Sequence, residues 1–248
     1  MNPGTTPVPP GTSVDVRHNG HAHLVVVHPP FAAPLTPGER PRATAHDPEA
    51  ARAAVLSLSM VASVRREDTP ARLALPGSPA LREHLDEVSV AVWGSTVKIT
   101  DPALVEDGLG GALDDEFQAQ RKRFPDARIV AVCERDFGAA YLKVLAAVPG
   151  APDLLIEGFG DLDTIGDPRA TLAAAGVDSG EAAAAYFEDD TDDEDDEDGG
   201  AIADFHAFLH TLTGGALSVY AHEERYESTF LVERTEQGEN SIDAVWFP

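Results

Sequence analysis

From Ser13 onward the chain shows a β-like run, Ser13-Val14-Asp15-Val16-Arg17-His18, then Asn19-Gly20, then the apolar stretch His21-Ala22-His23-Leu24-Val25-Val26-Val27. Asn-Gly between β-prone runs is the strongest short-range hairpin signal, so two antiparallel strands around a two-residue turn are predicted. Pro29-Pro30 ends the second of them, and the Pro-rich stretch to His46 has no periodicity and reads as a connection. A second hairpin is predicted where Val88-Ser89-Val90-Ala91-Val92-Trp93 and Thr96-Val97-Lys98-Ile99 flank Gly94-Ser95, because glycine in first place suits a type II′ turn. Its register sets Val92 opposite Val97 and Val90 opposite Ile99, gathering one apolar face. Arg128 to Glu134 with Ala140 to Val148, and Leu154 to Phe159 with Leu162 to Ile165, read as two more strand pairs.

Helix starts are marked by four Asp-Pro or Ser-Pro pairs, in which the first side chain caps free N–H groups and proline occupies a position that needs no N–H bond. Asp47-Pro48 opens a helix predicted to reach about Val64, with Val55, Leu58 and Val61/Ala62 at three-to-four spacing. Ser78-Pro79 opens a short one through Leu85, Asp101-Pro102 a third, and Asp167-Pro168 a fourth that stops at Gly176. A further helix spans about Leu113 to Arg123. Ile202, Phe205, Phe208, Leu209 and Leu212 form a helical stripe, followed by expected strands near Leu217 to His222, Thr229 to Glu233 and Ile242 to Phe247. The fold class expected is α+β: a mostly antiparallel sheet of hairpins with several short helices. Residues 1–12, rich in Pro, Gly and Thr, are expected to be a disordered tail, and 13–248 a single α+β domain.

Charge changes this picture at one place. Glu188 to Asp198 is acidic everywhere except Thr191, so a disordered acidic loop is expected at about 188–200. The 248 residues carry a net charge of −25, from 43 acidic and 18 basic side chains. The acidic run supplies ten of those charges, and the −15 left over belongs to the rest of the chain. Such a balance repels nucleic-acid phosphates and anionic lipid, so direct nucleic-acid binding is not expected. The longest uncharged apolar-leaning stretch, Ala53 to Val64, is well short of the ~20 residues of a membrane helix. The start of the chain has no basic cluster followed by an apolar stretch, and a cytoplasmic location is expected. One cysteine, Cys133, within Ile129-Val130-Ala131-Val132-Cys133, excludes an internal disulfide and reads as a small buried hydrophobe.

Four short stretches, Val92-Trp93-Gly94, Thr100-Asp101-Pro102-Ala103-Leu104, Arg123-Phe124-Pro125-Asp126-Ala127-Arg128-Ile129 and Gly166-Asp167-Pro168-Arg169, carry a resemblance. Through them the chain resembles an uncharacterised family from Streptomyces and related actinobacteria, over roughly residues 20–180. That family has no assigned activity, so the resemblance implies a bacterial cytoplasmic origin and leaves function open. The acidic run and the histidine-rich segment stand outside its pattern.

The chain lacks a Gly-Lys-Ser/Thr phosphate loop, a Gly-x-Ser-x-Gly elbow and a His-Glu-x-x-His zinc helix. Gly158-Phe159-Gly160 begins like a dinucleotide fingerprint but has Asp163 in place of its third glycine. A calcium loop with Gly199 as sixth residue fails at position twelve, Phe205. His18, His21 and His23 are the sharpest local feature: a turn at Asn19-Gly20 would set His18 opposite His21 with His23 on the same face, three imidazoles able to meet one transition metal. His206 and His210, four apart, read as a helix-surface pair, and Trp93 and Trp246 as packing residues. Two function classes follow. The first is a non-enzymatic binding or regulatory protein, without cofactor, whose acidic surface meets a basic protein partner as immunity proteins, antitoxins and nucleic-acid mimics do. The second is a small enzyme using a divalent transition metal at His18, His21 and His23. A convergent polar pocket beside those histidines would favour the enzyme, and a continuous acidic face without a cleft would favour the binding protein.

Overall fold

The run Leu24-Val25-Val26-Val27 is buried at every residue in the computed structural model, which describes residues 8–14, 19–42, 44–72, 79–108, 111–136, 138–177, 186–187, 202–217 and 225–247. Burial on both sides follows from its place near the middle of a wide sheet. The strands are β1 (Asn19–Val27), β2 (Val61–Arg72), β3 (Glu87–Trp93), β4 (Thr96–Thr100), β5 (Arg128–Asp136), β6 (Ala140–Ala147), β7 (Leu154–Phe159), β8 (Asp161–Ile165) and β9 (Tyr226–Arg234). They form a single sheet in the order β2-β9-β3-β4-β1-β5-β6-β7-β8, with antiparallel neighbours throughout. Five α-helices accompany it among the described residues: α1 (Pro48–Val55), α2 (Ala112–Arg123), α3 (Pro168–Ala174), α4 (Phe205–Leu212) and α5 (Glu236–Trp246). Two 3-10 turns, Arg82–Asp86 and Pro102–Leu104, complete the set.

Strand alternation sorts the side chains onto two faces, which hold three hydrophobic clusters, the smallest being Val25, Val27, Ala91, Trp93 and Ala216. On the first face Leu24, Val26, Val90, Ile99, Ile129 and Phe230 pack against α1, α2 and α5. On the second, Val130, Val132, Val144 and Ile156 pack against Leu172 of α3 and Phe208 and Leu212 of α4. The expected α+β class and antiparallel sheet are therefore present. The β3–β4 hairpin has the expected register, Val92 with Val97 and Val90 with Ile99, and Gly94 takes the positive φ of +60° that its turn needs. Asp47, Asp101 and Asp167 each accept a backbone N–H at the start of the helix or turn that follows.

Three expectations are corrected. Asn19-Gly20 is not a hairpin turn but the first two residues of β1, paired with Asp136 and Arg135 of β5. Both edges of β1 are occupied, by β4 and β5, which leaves no edge for a hairpin partner, and Ser13 bridges to Leu81 instead. Space at 20 is tight: a Cβ there would stand 3.0 Å from Val105 Cγ1, 3.1 Å from Arg135 Cγ and 3.2 Å from Glu134 O, so those neighbours would have to give by a few tenths of an ångström. The helix after Asp47 ends at Val55, and Val61 to Val64 open β2, where β-branched residues find a partner in β9. Ile242 to Trp246 lies in helix α5, whose buried residues Ile242, Val245 and Trp246 follow a three-and-four spacing behind the Thr235 cap. The expected strand at Leu217 to His222 and the acidic loop at 188–200 fall almost wholly outside the described residues. Within 8–14, Gly11 N–H donates to Glu83, and Thr12 O accepts from Arg82 N–H.

One buried ion pair ties late chain to early chain. Arg234, at the end of β9, and Asp101, just after β4, are both fully buried, and Arg234 Nη1 lies 2.9 Å from Asp101 Oδ2. Arg234 Nη2 also donates to Leu85 O at 2.5 Å, and Asp101 Oδ1 accepts from Ala103 N–H. The neutral substitution Asp101→Asn is expected to cost about 3 kcal/mol, because it leaves the buried Arg234 charge with only Asp86, at 3.8 Å from its Nε, as a carboxylate neighbour. Urea denaturation measures this; Asp68→Asn, at the exposed Arg66–Asp68 pair, should change stability by less than about 1 kcal/mol.

Three histidines, His28, His46 and His210, are held below their ordinary value of 6.5 chiefly by burial. At His46, Nδ1 accepts from Val92 N–H while Nε2 lies 2.9 Å from Ser228 Oγ, so only the neutral ring satisfies both partners; Asp47 beside it pulls weakly the other way. A folded-state pKa below the unfolded one means that the unfolded chain binds more protons, so stability falls as pH drops through about 6.5 and below. Melting temperatures measured from pH 8 to pH 5 should decline over that window. His46→Asn, which offers an acceptor but cannot titrate, should flatten the slope.

Candidate functional site

Pairing of β1 with β5 sets His21 directly across from Glu134, on the second face of the sheet. The His21 Nε2 to Glu134 Oε2 distance is 3.3 Å, and both side chains are partly exposed. Helix α4 crosses this end of the sheet, with His206 in its first turn near enough to favour the Glu134 charge. Its start is fixed by Asp204, whose side chain accepts from Ala207 N–H. Between sheet and helix lies a cleft of about 500 Å³. Leu142, Leu162, Phe205 and Leu209 give it an apolar floor, while Asn19, His21, Glu134, Asp136 and His206 gather at its polar end.

The Glu134 carboxyl is held below the ordinary carboxylate range, first by its hydrogen bond with His21, then by the charges of His21 and His206, against the opposing effect of burial. It is therefore an ionised acceptor at neutral pH. Asp136 adds a second carboxylate at the rim. An ionised acceptor above an apolar floor recognises a group with a cationic head and an aliphatic stem. The cleft opens beside β8, a strand at the edge of the sheet, where Asp161 and Asp163 are exposed and Ile165 is 66% exposed.

Of the histidines singled out by sequence, the structure brings two together. His21 and His23 share a face, with ring centroids 5.1 Å apart. Their surroundings differ, since His23 is buried with Nδ1 2.9 Å from Thr100 Oγ1, whereas His21 opens into the cleft. His18 lies outside the described residues. Among the described residues no group of three His, Cys, Asp or Glu side chains is arranged to hold a metal ion. The pair on α4 separates: His206 is exposed in the cleft, while His210 is buried, so the two are not a surface pair. Glu134 escaped the sequence reading because only the pairing of strands more than a hundred residues apart sets it beside His21. The alternation along β5 places it on the same face as Val130 and Val132, and no local signal says what lies opposite.

Cys133 occupies the first face, fully buried, with burial pushing its thiol up to about 12; it is the buried hydrophobe expected. Trp93 and Trp246 are buried packing residues, with Nε1 donating to Tyr226 O and Pro102 O respectively. Among the described residues no helix is long and apolar enough to cross a membrane.

No curated protein and no solved structure matches the chain. Residues 5–248 match the family of unknown function DUF6333, well beyond the stretch over which the sequence motifs suggested a relationship, and the chain belongs to that family.

Proposed function

We propose that this is a non-enzymatic binding protein that receives a basic side chain of a protein partner in the cleft of His21, Glu134 and His206. The observation that carries the reading is the ionised Glu134 carboxylate, with Asp136 near it, in a cleft also lined by Leu142, Leu162, Phe205 and Leu209; Arg135 borders the cleft too, with its Nη2 donating to Val245 O. A Lys or Arg stem would lie on Leu142, Leu162, Phe205 and Leu209, with its head at Glu134 and Asp136. The net charge of −25 supports the same partner chemistry, since a field of one sign raises the encounter rate with opposite charge. A second reading, a metal-dependent enzyme, draws on the adjacent His21 and His23 rings, though among the described residues no three-ligand group is formed around them.

Fluorescence anisotropy with a labelled Arg- and Lys-containing peptide tests the first reading. Saturable binding is expected, weakened at least tenfold, about 1.4 kcal/mol, in Glu134→Gln. It should weaken further as salt shortens the Debye length from about 8 Å to about 3 Å. Equal affinity for wild type and Glu134→Gln would reject the cleft as the docking point. Stoichiometric Zn²⁺ binding in calorimetry, abolished by His21→Ala, would instead establish the metal reading.

A further inference from the structure

At the other end of β1 the second face carries a cleft of opposite character. It has a volume of about 300 Å³ and lies where Val27, the Gly94-Ser95 turn and the start of β5 meet the Pro-rich segment from Phe31 to Thr44 and the end of α4. Two arginines line it, Arg128 at 5% exposure and Arg225 at 6%. Three other buried cations have carboxylate partners within ion-pair distance: Arg82 with Asp86 and Glu239, Arg234 with Asp101, Lys143 with Glu106 and Asp114, while buried Arg135 donates to Val245 O. Among the described residues neither Arg128 nor Arg225 has one, in a protein with 43 acidic side chains available.

The two arginines differ in what does satisfy them. Arg128 donates Nη1 to Leu212 O and Nη2 to Ala175 O, the carbonyls at the ends of α4 and α3, and its Nε is buried without a partner. Arg225 has one long bond, Nη1 to Gly215 O at 3.5 Å, and lies over the Trp93 ring at 4.3 Å from its centroid. Burial pulls its guanidinium down to about 10, which still leaves it charged at neutral pH. Lys98 is close enough to Arg225 for the two cations to repel, with Glu227 the carboxylate that favours the Lys98 charge, and Arg42 stands exposed at the rim. A desolvated guanidinium with open N–H donors and no counter-ion is costly to bury, and its planar fork matches an oxyanion.

We propose that this second cleft binds a small oxyanion, a carboxylate or phosphate group, held by Arg225 between Trp93 and Arg128. The volume admits on the order of ten water-sized groups, which sets the ligand at the scale of a small metabolite. The aromatic walls, Trp93 and Phe31, suit a flat or apolar body behind the anionic head.

The test titrates full-length protein by calorimetry with inorganic phosphate and, separately, with benzoate, each against sodium chloride of matched ionic strength. Saturable one-to-one binding of at least one anion is expected, with a rise in melting temperature that chloride does not give. Phosphate alone would assign a phosphorylated ligand and benzoate alone an aromatic carboxylate. Arg225→Gln should weaken binding at least tenfold. Ala32→Trp, an exposed position on the cleft wall, should block it while leaving the buried arginines in place, and it decides the matter where Arg225→Gln fails to fold. Absence of saturable binding for both anions, or unchanged affinity in Ala32→Trp, would overturn the proposal.

Discussion

Strand β9 enters the sheet between β2 and β3, and what fixes its end there is a charge pair removed from water: Arg234 and Asp101, 133 residues apart in sequence. Asp101 simultaneously caps the 3-10 turn Pro102–Leu104, whose carbonyls in turn accept from Trp246 Nε1 and Ser241 Oγ of α5. Arg234 reaches the carbonyl of Leu85 in the other 3-10 turn. Elements from the two ends of the chain thus depend on two side chains. A pair of this kind confers little net stability over a hydrophobic replacement, but loss of one member is severe, so it selects one arrangement of β9 against others.

The same economy governs the rest of the first face. The first residues of α2 follow Gly111, which has no side chain to cap them, and Glu106 supplies the missing acceptor from outside the helix, at 2.8 Å from Leu113 N. Its second oxygen takes Lys143 Nζ at 2.9 Å, and Lys143 also meets Asp114. Burial raises the Glu106 carboxyl while the lysine opposes that rise. With 18 basic residues against 43 acidic ones, the buried cations Lys143, Arg82 and Arg234 are each placed against a carboxylate.

Elements set by neighbouring residues were legible, and those set by distant ones were not. The β3–β4 hairpin carries its own turn and its own apolar register, and the Asp-Pro caps at 47, 101 and 167 carry their own acceptors. Asn19-Gly20 has the same local signature as a hairpin turn, yet β4 and β5 claim both edges of that strand, and tertiary pairing overrides it. Ile242 to Phe247 is rich in β-formers, but the Thr235 cap and the side chains facing the core decide for helix. The site follows the same rule: His21 was visible as a histidine in a strand, whereas Glu134 and His206 become its neighbours only through β1–β5 pairing and the crossing of α4.

Helix α4 borders both clefts, and its polarity is consistent with their opposite character. Its first turn, with Phe205 and His206, walls the cleft that holds Glu134; its last carbonyl, Leu212 O, accepts from Arg128, and Thr211 and Gly214 wall the other cleft. Partial positive charge at a helix start favours a carboxylate nearby, and partial negative charge at its end favours a guanidinium. Arg128 meets two such ends at once, α4 and α3, which explains how a buried cation can lack a carboxylate. Among the described residues Arg225 meets no helix end, only a long bond to Gly215 O and the Trp93 ring. Of the two guanidiniums, Arg225 is thus the one with fewer partners among the described residues.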